Sequence, residues 1–427
     1  MKKPLRLLWV LLALLMFFPL AGCQNDNVLQ LGDPFTVTFV DKNGNVLDTF
    51  DCTVGEACDI VAPTLPADTN VMDTVYFVRW SLWESEWTNI QEDTVIHPIY
   101  TYSNVAISIG GRDIVFYSVF IMTGIAVALT LAIREAKRIG VKPDDLIDGF
   151  LWIVPVAILG ARLWYVVFEW NSFFYGNDVF ASILRALGFS SGTLDFSSFG
   201  LAGLAIHGAF VTAVICAYFY TKKRKIDIFK VLDLVAVGFI IAQAFGRWGN
   251  FFNLEAHGPI VGGMTDGVAN LSLEEQYNFL RYTLHLPEFI VNNMYLLRGA
   301  NGLAVEPLTG YYHPTFFYES MANLVGFAIM LILRRFKKVH FGELLSFYLI
   351  WYGTVRIFIE LLRTDPLTFE LFGITFKSAI VTSSLMIILG VLLSIFVRTK
   401  RKGQDYSTVP GFFECKKPSC EPTEDAS

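Results

Sequence analysis

The chain has 427 residues, 54% of them hydrophobic and 17% charged, with a formal net charge of −6. That balance is apolar-rich and charge-poor beside soluble proteins, and it excludes a water-soluble enzyme of ordinary composition. No basic stripe with interleaved aromatics, phosphate-binding Gly-Lys-Ser/Thr loop, dinucleotide fingerprint or His-Glu-x-x-His pattern occurs, so neither nucleic acid nor a metal is expected as a partner.

At the start of the chain, Lys2, Lys3 and Arg6 precede an apolar run over 7–18, followed by Leu20-Ala21-Gly22-Cys23. A basic start, a short apolar core and small residues before a site read as a secretory signal. Leu-Ala-Gly-Cys in this place resembles the lipobox of bacterial lipoproteins, in which the cysteine sulfur carries a diacylglyceryl group. A signal anchor that merely contains Cys23 is the alternative, and either reading exports the segment from residue 24 on.

Residues 24–106 then read as a small β-rich extracytoplasmic module with its core at about 35–102. Phe35-Thr36-Val37-Thr38-Phe39-Val40 alternates as a strand does, and Asn43-Gly44 supplies a hairpin turn. Further strands are expected at Val75-Tyr76-Phe77-Val78 and at Val95-Ile96-His97-Pro98-Ile99-Tyr100, with Trp80, Trp83 and Trp87 between them. The segment resembles the β-grasp-like repeat modules of bacterial surface proteins. Core packing is the expected role for most of its tryptophans. Cys52 and Cys58 lie in a disulfide-permissive setting and are candidates for a bridge.

Apolar runs of near-spanning length come next, at about 116–133, 149–168, 200–220, 231–252, 314–333, 344–362 and 378–397. Basic clusters at Arg134–Lys142, Lys222–Lys225, Arg334–Lys338 and Arg398–Lys402 come after the first, third, fifth and seventh runs. The positive-inside rule puts all four on the cytoplasmic side. Seven transmembrane helices are therefore expected over 107–402. The loops 169–199, 253–313 and 363–377 face outward, and a polar cytoplasmic tail covers 403–427. Cys415 and Cys420 in that tail are too few for a zinc site, and Cys216 reads as a small buried apolar residue.

The polar residues inside these runs are the candidates for chemistry, because ionisable groups in a membrane face a cavity, a partner or a substrate. They are Tyr117 in the first run, Arg162 in the second and His207 in the third. The fourth closes with Gly246-Arg247-Trp248-Gly249-Asn250-Phe251-Phe252-Asn253-Leu254-Glu255-Ala256-His257-Gly258. The fifth opens with His313-Pro314-Thr315 and carries Tyr318 and Glu319; the sixth contains Tyr352-Gly353-Thr354-Val355-Arg356 with Glu360 and Arg363. Arg247 and Asn250 share a helix face at i,i+3, and Arg356, Glu360 and Arg363 share another. For each residue alone an internal ion pair is the simpler role, above all for Glu360 between two arginines. Arginines outnumber acids across the set, which predicts positive charge seeking an anion, either as the substrate of a membrane enzyme or as the cargo of a transporter or channel.

Gly246-Arg247-x-Gly249-Asn250-Phe251-x-Asn253-x-Glu255-x-x-Gly258 resembles the signature of phosphatidylglycerol–prolipoprotein diacylglyceryl transferases, and the other motifs stand in that family's order over about 107–402. The resemblance implies transfer of a diacylglyceryl group from phosphatidylglycerol to a lipobox cysteine thiol in a bacterial plasma membrane, releasing glycerol-1-phosphate. It implies no cofactor, and a lipoprotein signal peptidase acting on the product downstream. Arg247 and Arg356 are expected to hold the phosphate, since guanidinium binds its oxygens bidentately. His207 is the expected base, with a substrate-orienting part as its alternative, and Tyr117 is also expected to be catalytic. Arg162, Asn250, Asn253, Glu255, Gly258, Tyr318, Glu319, Glu360 and Arg363 are expected to bind or orient substrate. Three positions depart from the family's usual pattern: Ser118 and Ala209 stand where glycine is usual, and Phe316 where glutamine is.

Overall fold

The computed structural model describes residues 30–64, 75–110, 112–174, 178–188, 205–297, 308–336, 338–363, 368–371, 374–401 and 405–406. The signal-like segment with Cys23, and Cys415 and Cys420, lie outside the described residues. The chain divides into two compact units. One holds residues up to Asp68 together with Phe77–Ile99, and the other holds Thr69–Tyr76 and everything from Tyr100 on.

In the small unit, β1 (Pro34–Val40) and β2 (Val46–Thr53) form an antiparallel hairpin, and β4 (Thr94–Ile96) pairs with β1 in parallel. Asp41 fixes the turn by accepting hydrogen bonds from the Asn43 and Asn45 backbone amides and from the Asn45 side chain, while Gly44 takes φ +85. The alternation of β1 buries Phe35, Val37 and Phe39. The Phe39 ring meets Trp80 at 4.9 Å and Trp87 at 5.4 Å, both edge-on, so two of the three tryptophans are core. Trp80 closes β3 (Phe77–Trp80), and Trp87 closes the short helix α1 (Glu84–Trp87). The expected single strand over 95–100 is two, β4 and β5 (Pro98–Tyr100), broken at His97. Pro98 has no N–H for a continuous ladder, and the chain changes partner there from β1 to β3. A disulfide joins Cys52 to Cys58, with Cα atoms 5.6 Å apart.

The large unit is helical. A hairpin of β6 (Val105–Ile109) and β7 (Arg112–Val115) leads into α2 (Phe116–Ile139) and α3 (Pro143–Phe168). The short helix α4 (Val179–Leu187) comes next, then α5 (Ile206–Arg224), α6 (Ile228–Phe252), α7 (Thr315–Leu333), α8 (Glu343–Leu362) and α9 (Ser378–Lys400). Among the described residues, six helices (α2, α3, α6, α7, α8 and α9) are long and apolar enough to cross a membrane, as in a polytopic membrane protein. The third expected run appears as α5, 19 residues ending in Lys222, Lys223 and Arg224, and the first residues of that run, 200–204, lie outside the described residues.

Small residues let these helices close on one another, as they do where lipid supplies no hydrophobic drive. A Cβ on Gly249 would stand 2.5 Å from the Tyr117 ring, so α2 lies against α6 at that level. A Cβ on Gly208 would meet the Gly160 carbonyl at 2.5 Å, which fixes the contact of α3 with α5. At the other end of the bundle, Asp233 on α6 accepts the Gly342 and Leu345 amides at 2.8 and 3.0 Å and thereby caps α8. Glu135 there faces Arg138, Arg334 and Arg335 at 3.1, 3.6 and 3.5 Å, and Tyr406 is buried beside them.

Candidate functional site

The signature lies where α6 ends. Arg247, Trp248 and Asn250 are still helical, Asn253 is the C-cap, and the chain then turns through Leu254 and Ala256, both with positive φ. Two non-glycine residues in that conformation flanking Glu255 mark a backbone held in place by its surroundings. It is held by a set of bonds to the far side of the 253–313 segment. The Gly258 amide donates to the His313 carbonyl, the His313 amide donates to the Pro259 carbonyl, and the Thr315 hydroxyl donates to the Ala256 carbonyl at 2.6 Å. Gly258 is needed for this approach, because a Cβ there would lie 2.9 Å from His313 Cβ and 3.0 Å from Thr315 Cγ2.

This register brings α6, α7 and α8 into one polar cluster. The Nη2 of Arg247 lies 2.6 Å from Glu319 Oε1, and its Nη1 reaches Asn250 Oδ1 at 3.5 Å. Arg356 on α8 donates from Nη2 to Glu360 Oε2 at 2.8 Å, while its Nη1 stands 3.6 Å from Glu319 Oε2, an ion pair beyond hydrogen-bond length. That buried Nη1 has no hydrogen-bond partner among the described residues. Asn250 and Asn253 both donate to Glu255 Oε1, at 2.8 and 3.3 Å. Glu319 and Glu360 are each 1% exposed, so neither carboxylate survives there without its arginine.

The expected surplus of positive charge is absent from this cluster: two guanidiniums face Glu319 and Glu360, and Glu255 adds a third acid. Helix spacing singles out Glu360 as the acid between two arginines. In the folded chain Glu319 takes that place as well, between Arg247 and Arg356, and the first of these pairs joins residues 72 apart in sequence. Each arginine thus hydrogen-bonds one carboxylate through Nη2, and Arg356 meets a second, Glu319, as an ion pair through Nη1. That fixes the plane of the fork while leaving donors for an incoming oxyanion.

The remaining expected residues fall around this cluster or elsewhere. Tyr117 packs on Gly249, the residue before Asn250. Tyr318 approaches His313 Nδ1 through its hydroxyl at 3.2 Å, and burial holds the His313 pKa below its ordinary value. Arg363 is the C-cap of α8, its amide on the Glu360 carbonyl. Arg162 is a separate anchorage: it donates from Nε to the Ala186 carbonyl and from Nη2 to the Arg185 carbonyl, and lies over the Phe173 ring at 4.8 Å. It thereby satisfies the open carbonyl end of α4. His207 is in the first turn of α5, and its side chain lies outside the described part of the molecule. Phe316, the departure beside Thr315, is buried against Phe251 at 4.8 Å and Trp248 at 5.6 Å, and so wedges the signature from beneath.

Comparison with known proteins points to one family. Residues 104–396 match the family model of prolipoprotein diacylglyceryl transferase. The chain is 40% identical over 296 residues to the phosphatidylglycerol–prolipoprotein diacylglyceryl transferase of Listeria innocua, covering 69% of this chain and 90% of that one. It is 38% identical over 298 residues to the enzyme of the same name from Streptococcus sanguinis, covering 70% and 96%. It is also 38% identical over 303 residues to that of Lactobacillus delbrueckii subsp. bulgaricus, covering 71% and 93%. The family match begins at residue 104, beyond the residues of the small β-rich unit. By residues 104–396, the chain belongs to the prolipoprotein diacylglyceryl transferase family.

Proposed function

We propose that this chain transfers the diacylglyceryl group of phosphatidylglycerol to the lipobox cysteine of prolipoproteins, the first step of bacterial lipoprotein maturation. The observation that carries the reading is the Arg247–Glu319–Arg356–Glu360 cluster within a family match that spans its three helices. The thiol gives up its proton, because the thiolate is the nucleophile. Its sulfur forms a bond to the terminal glyceryl carbon as that carbon's bond to phosphate oxygen breaks. The bonding pair leaves on glycerol-1-phosphate. Arg247 and Arg356 hold the phosphate and take up the charge that develops as it departs, being already oriented by Glu319 and Glu360. Asn250, Asn253 and Glu255 form one hydrogen-bonded set at the end of α6, suited to orienting the lipid's hydroxyls. The phospholipid carries its own leaving group, so the reaction as written needs no cofactor.

His207 is the base in this reading, since an imidazole with a pKa near neutrality suits proton removal at neutral pH. Tyr117, Tyr318 and Arg363 line the approaches, and Gly258 permits the turn beside them. Arg162 is a substrate-binding residue in this reading and also holds the end of α4. Seven spans oriented by their basic clusters would turn the Arg247 end of the bundle to the outer face of the plasma membrane, with the β-grasp-like module on the same side and the C-terminus in the cytoplasm. Prolipoprotein signal peptides reach the site from the bilayer, and a lipoprotein signal peptidase acts on the product. Leu20-Ala21-Gly22-Cys23 makes the chain a substrate of its own reaction, with Cys23 the acceptor. Complementation of a bacterial strain depleted of its own transferase tests the function. Restored growth and lipoprotein modification are expected; growth failure with the protein present in the membrane contradicts it. Mass spectrometry of the purified protein's N-terminus tests Cys23, and an unmodified thiol behind Met1 contradicts self-lipidation.

A further inference from the structure

The charged cluster has a polar layer one turn deeper in the bundle. Each of its three helices repeats a polar residue at i,i+4 toward the interior: Gln243 below Arg247 on α6, Asn323 below Glu319 on α7, and Tyr352 then Tyr348 below Arg356 on α8. The contacts around these residues fix their common level. Ser320 donates to the Ala244 carbonyl at 3.0 Å, and a Cβ on Gly326 would stand 2.7 Å from Ile240 and 2.3 Å from the Trp351 indole nitrogen. Asn323 lies between Ser320 and Gly326 on that same face of α7, so it looks into the seam between α6 and α8. Gln243 crosses the seam at that level, its amide 3.0 Å from the Tyr348 hydroxyl.

Asn323 is 0% exposed, and among the described residues neither its Nδ2 nor its Oδ1 has a hydrogen-bond partner. Gln243 Oε1 is likewise buried without a hydrogen-bond partner, and Arg356 Nη1 has only its 3.6 Å ion pair with Glu319. A buried amide without partners is destabilising, because the loss of its hydrogen bonds to water is not repaid. An apolar side chain of the same shape carries no such cost, and acyl chains would accept a leucine there equally well. The Gln243 amide can turn end for end, because the Tyr348 hydroxyl donates as readily as it accepts. The layer then presents three N–H donors: Asn323 Nδ2, Gln243 Nε2 and Arg356 Nη1. One helical turn advances about 5.4 Å along the axis. In a glycerophospholipid the acyl ester carbonyls lie on the tail side of the phosphate at about that remove.

We propose that Asn323 and Gln243, with Nη1 of Arg356 beside them, form a subsite for the acyl ester carbonyls of the lipid donor. The enzyme would thereby recognise an ester-linked glycerolipid and set the depth of its glyceryl carbon relative to the phosphate-holding arginines. The subsite rests on the transferase reading above and extends it to the ester zone of the lipid. Hydration water is the other source of a matching oxygen, and the test separates the two.

The test uses the full chain in mixed micelles, a lipobox peptide as acceptor, and either diester phosphatidylglycerol or its dialkyl ether analogue, which lacks the carbonyls. Asn323→Leu and Gln243→Met each keep side-chain size. In both variants KM for the diester lipid should rise about tenfold, the scale of one lost buried hydrogen bond to a donor left without water. KM for the diether lipid should stay at the wild-type value, and the lipid-free variants should melt no lower than wild type. Equal KM changes on both lipids would overturn the subsite. So would an Asn323→Leu variant that melts several degrees lower with an unchanged ester-to-ether preference, since the amide would then be satisfied by resident water. A wild-type protein that transfers from neither lipid would instead strike the transferase reading, and this inference with it.

Discussion

The two ends of the helix bundle each bury charge, yet they do so in different ways. At the Asp233 end both carboxylate oxygens are occupied, by the Gly342 and Leu345 amides and the Tyr406 hydroxyl, and Glu135 is enclosed by three arginines. Tyr406 itself is 2% exposed, its ring against Phe341 at 4.5 Å and its amide on the Val339 carbonyl. At the Arg247 end the carboxylates are equally deep, and the guanidiniums of Arg247 and Arg356, with side chains 19% and 16% exposed, are no more open than those of Arg138 and Arg335 at the other end, at 17% and 24%. Buried charge alone therefore does not identify a site. Nor does an unpartnered donor, since Arg334 Nε at the other end is buried without a hydrogen-bond partner as Arg356 Nη1 is; the Arg247 end is set apart by the signature turn, where Asn250 and Asn253 both donate to Glu255.

The largest expected difference between the ends is in activity. Arg356→Gln or Arg247→Gln should lower transfer by about a thousandfold or more, the scale of losing a principal oxyanion donor. Each leaves Glu319 short of a counter-charge, so stability should also fall, by about 3 kcal/mol. Transfer measured by peptide mass shift, alongside thermal unfolding, separates the two effects. Asp233→Leu should do the reverse. It removes three hydrogen bonds at a helix start and should cost about 2–4 kcal/mol, while protein that still folds keeps its KM and kcat. Loss of turnover in folded Asp233→Leu would abolish the distinction between the ends.

Smaller effects sharpen it. Tyr406→Phe deletes one hydroxyl and leaves the ring packing, so a loss of about 1 kcal/mol with unchanged activity is expected. His313 gives a pH signature on the active end. Burial lowers its pKa, so below about 6.5 the unfolded chain takes up a proton that the folded chain resists. The contribution of this residue to stability is full above that pH and is lost progressively as pH falls toward the folded value. Melting temperatures from pH 7.5 to 5.5 should drop more steeply for wild type than for His313→Gln, and parallel curves would contradict the assignment.

Much of this is legible in one sequence. Long apolar runs bounded by basic clusters locate the helices, because a membrane leaves few other ways to satisfy a backbone. The signature locates Arg247, Asn250, Asn253 and Glu255, because those residues act within a single turn and loop. Contacts between distant segments are not legible. Glu319 reads as one motif residue among several although it is the hub between two arginines, and Arg162 reads with the site although it holds α4. Asp233 is a single acid in an apolar run, and its hydroxyl partner lies in a tail that reads only as polar. Asn323 and Gln243 carry no pattern at all until three helices are set side by side. The break at His97 is hidden for a related reason, since alternation continues through it while the pairing partner changes.

The central claim is that two carboxylate-anchored arginines hold the departing phosphate. Its most direct test is single-turnover transfer from phosphatidylglycerol to a lipobox peptide by the full chain, comparing wild type with Arg247→Lys and Arg356→Lys. Lysine keeps the charge near Glu319 but cannot offer the planar fork. The account predicts folded variants with wild-type melting behaviour to within a few degrees, thioether product from wild type, and at least about a hundredfold slower formation from either lysine variant. Wild-type rates from both lysine variants would contradict it.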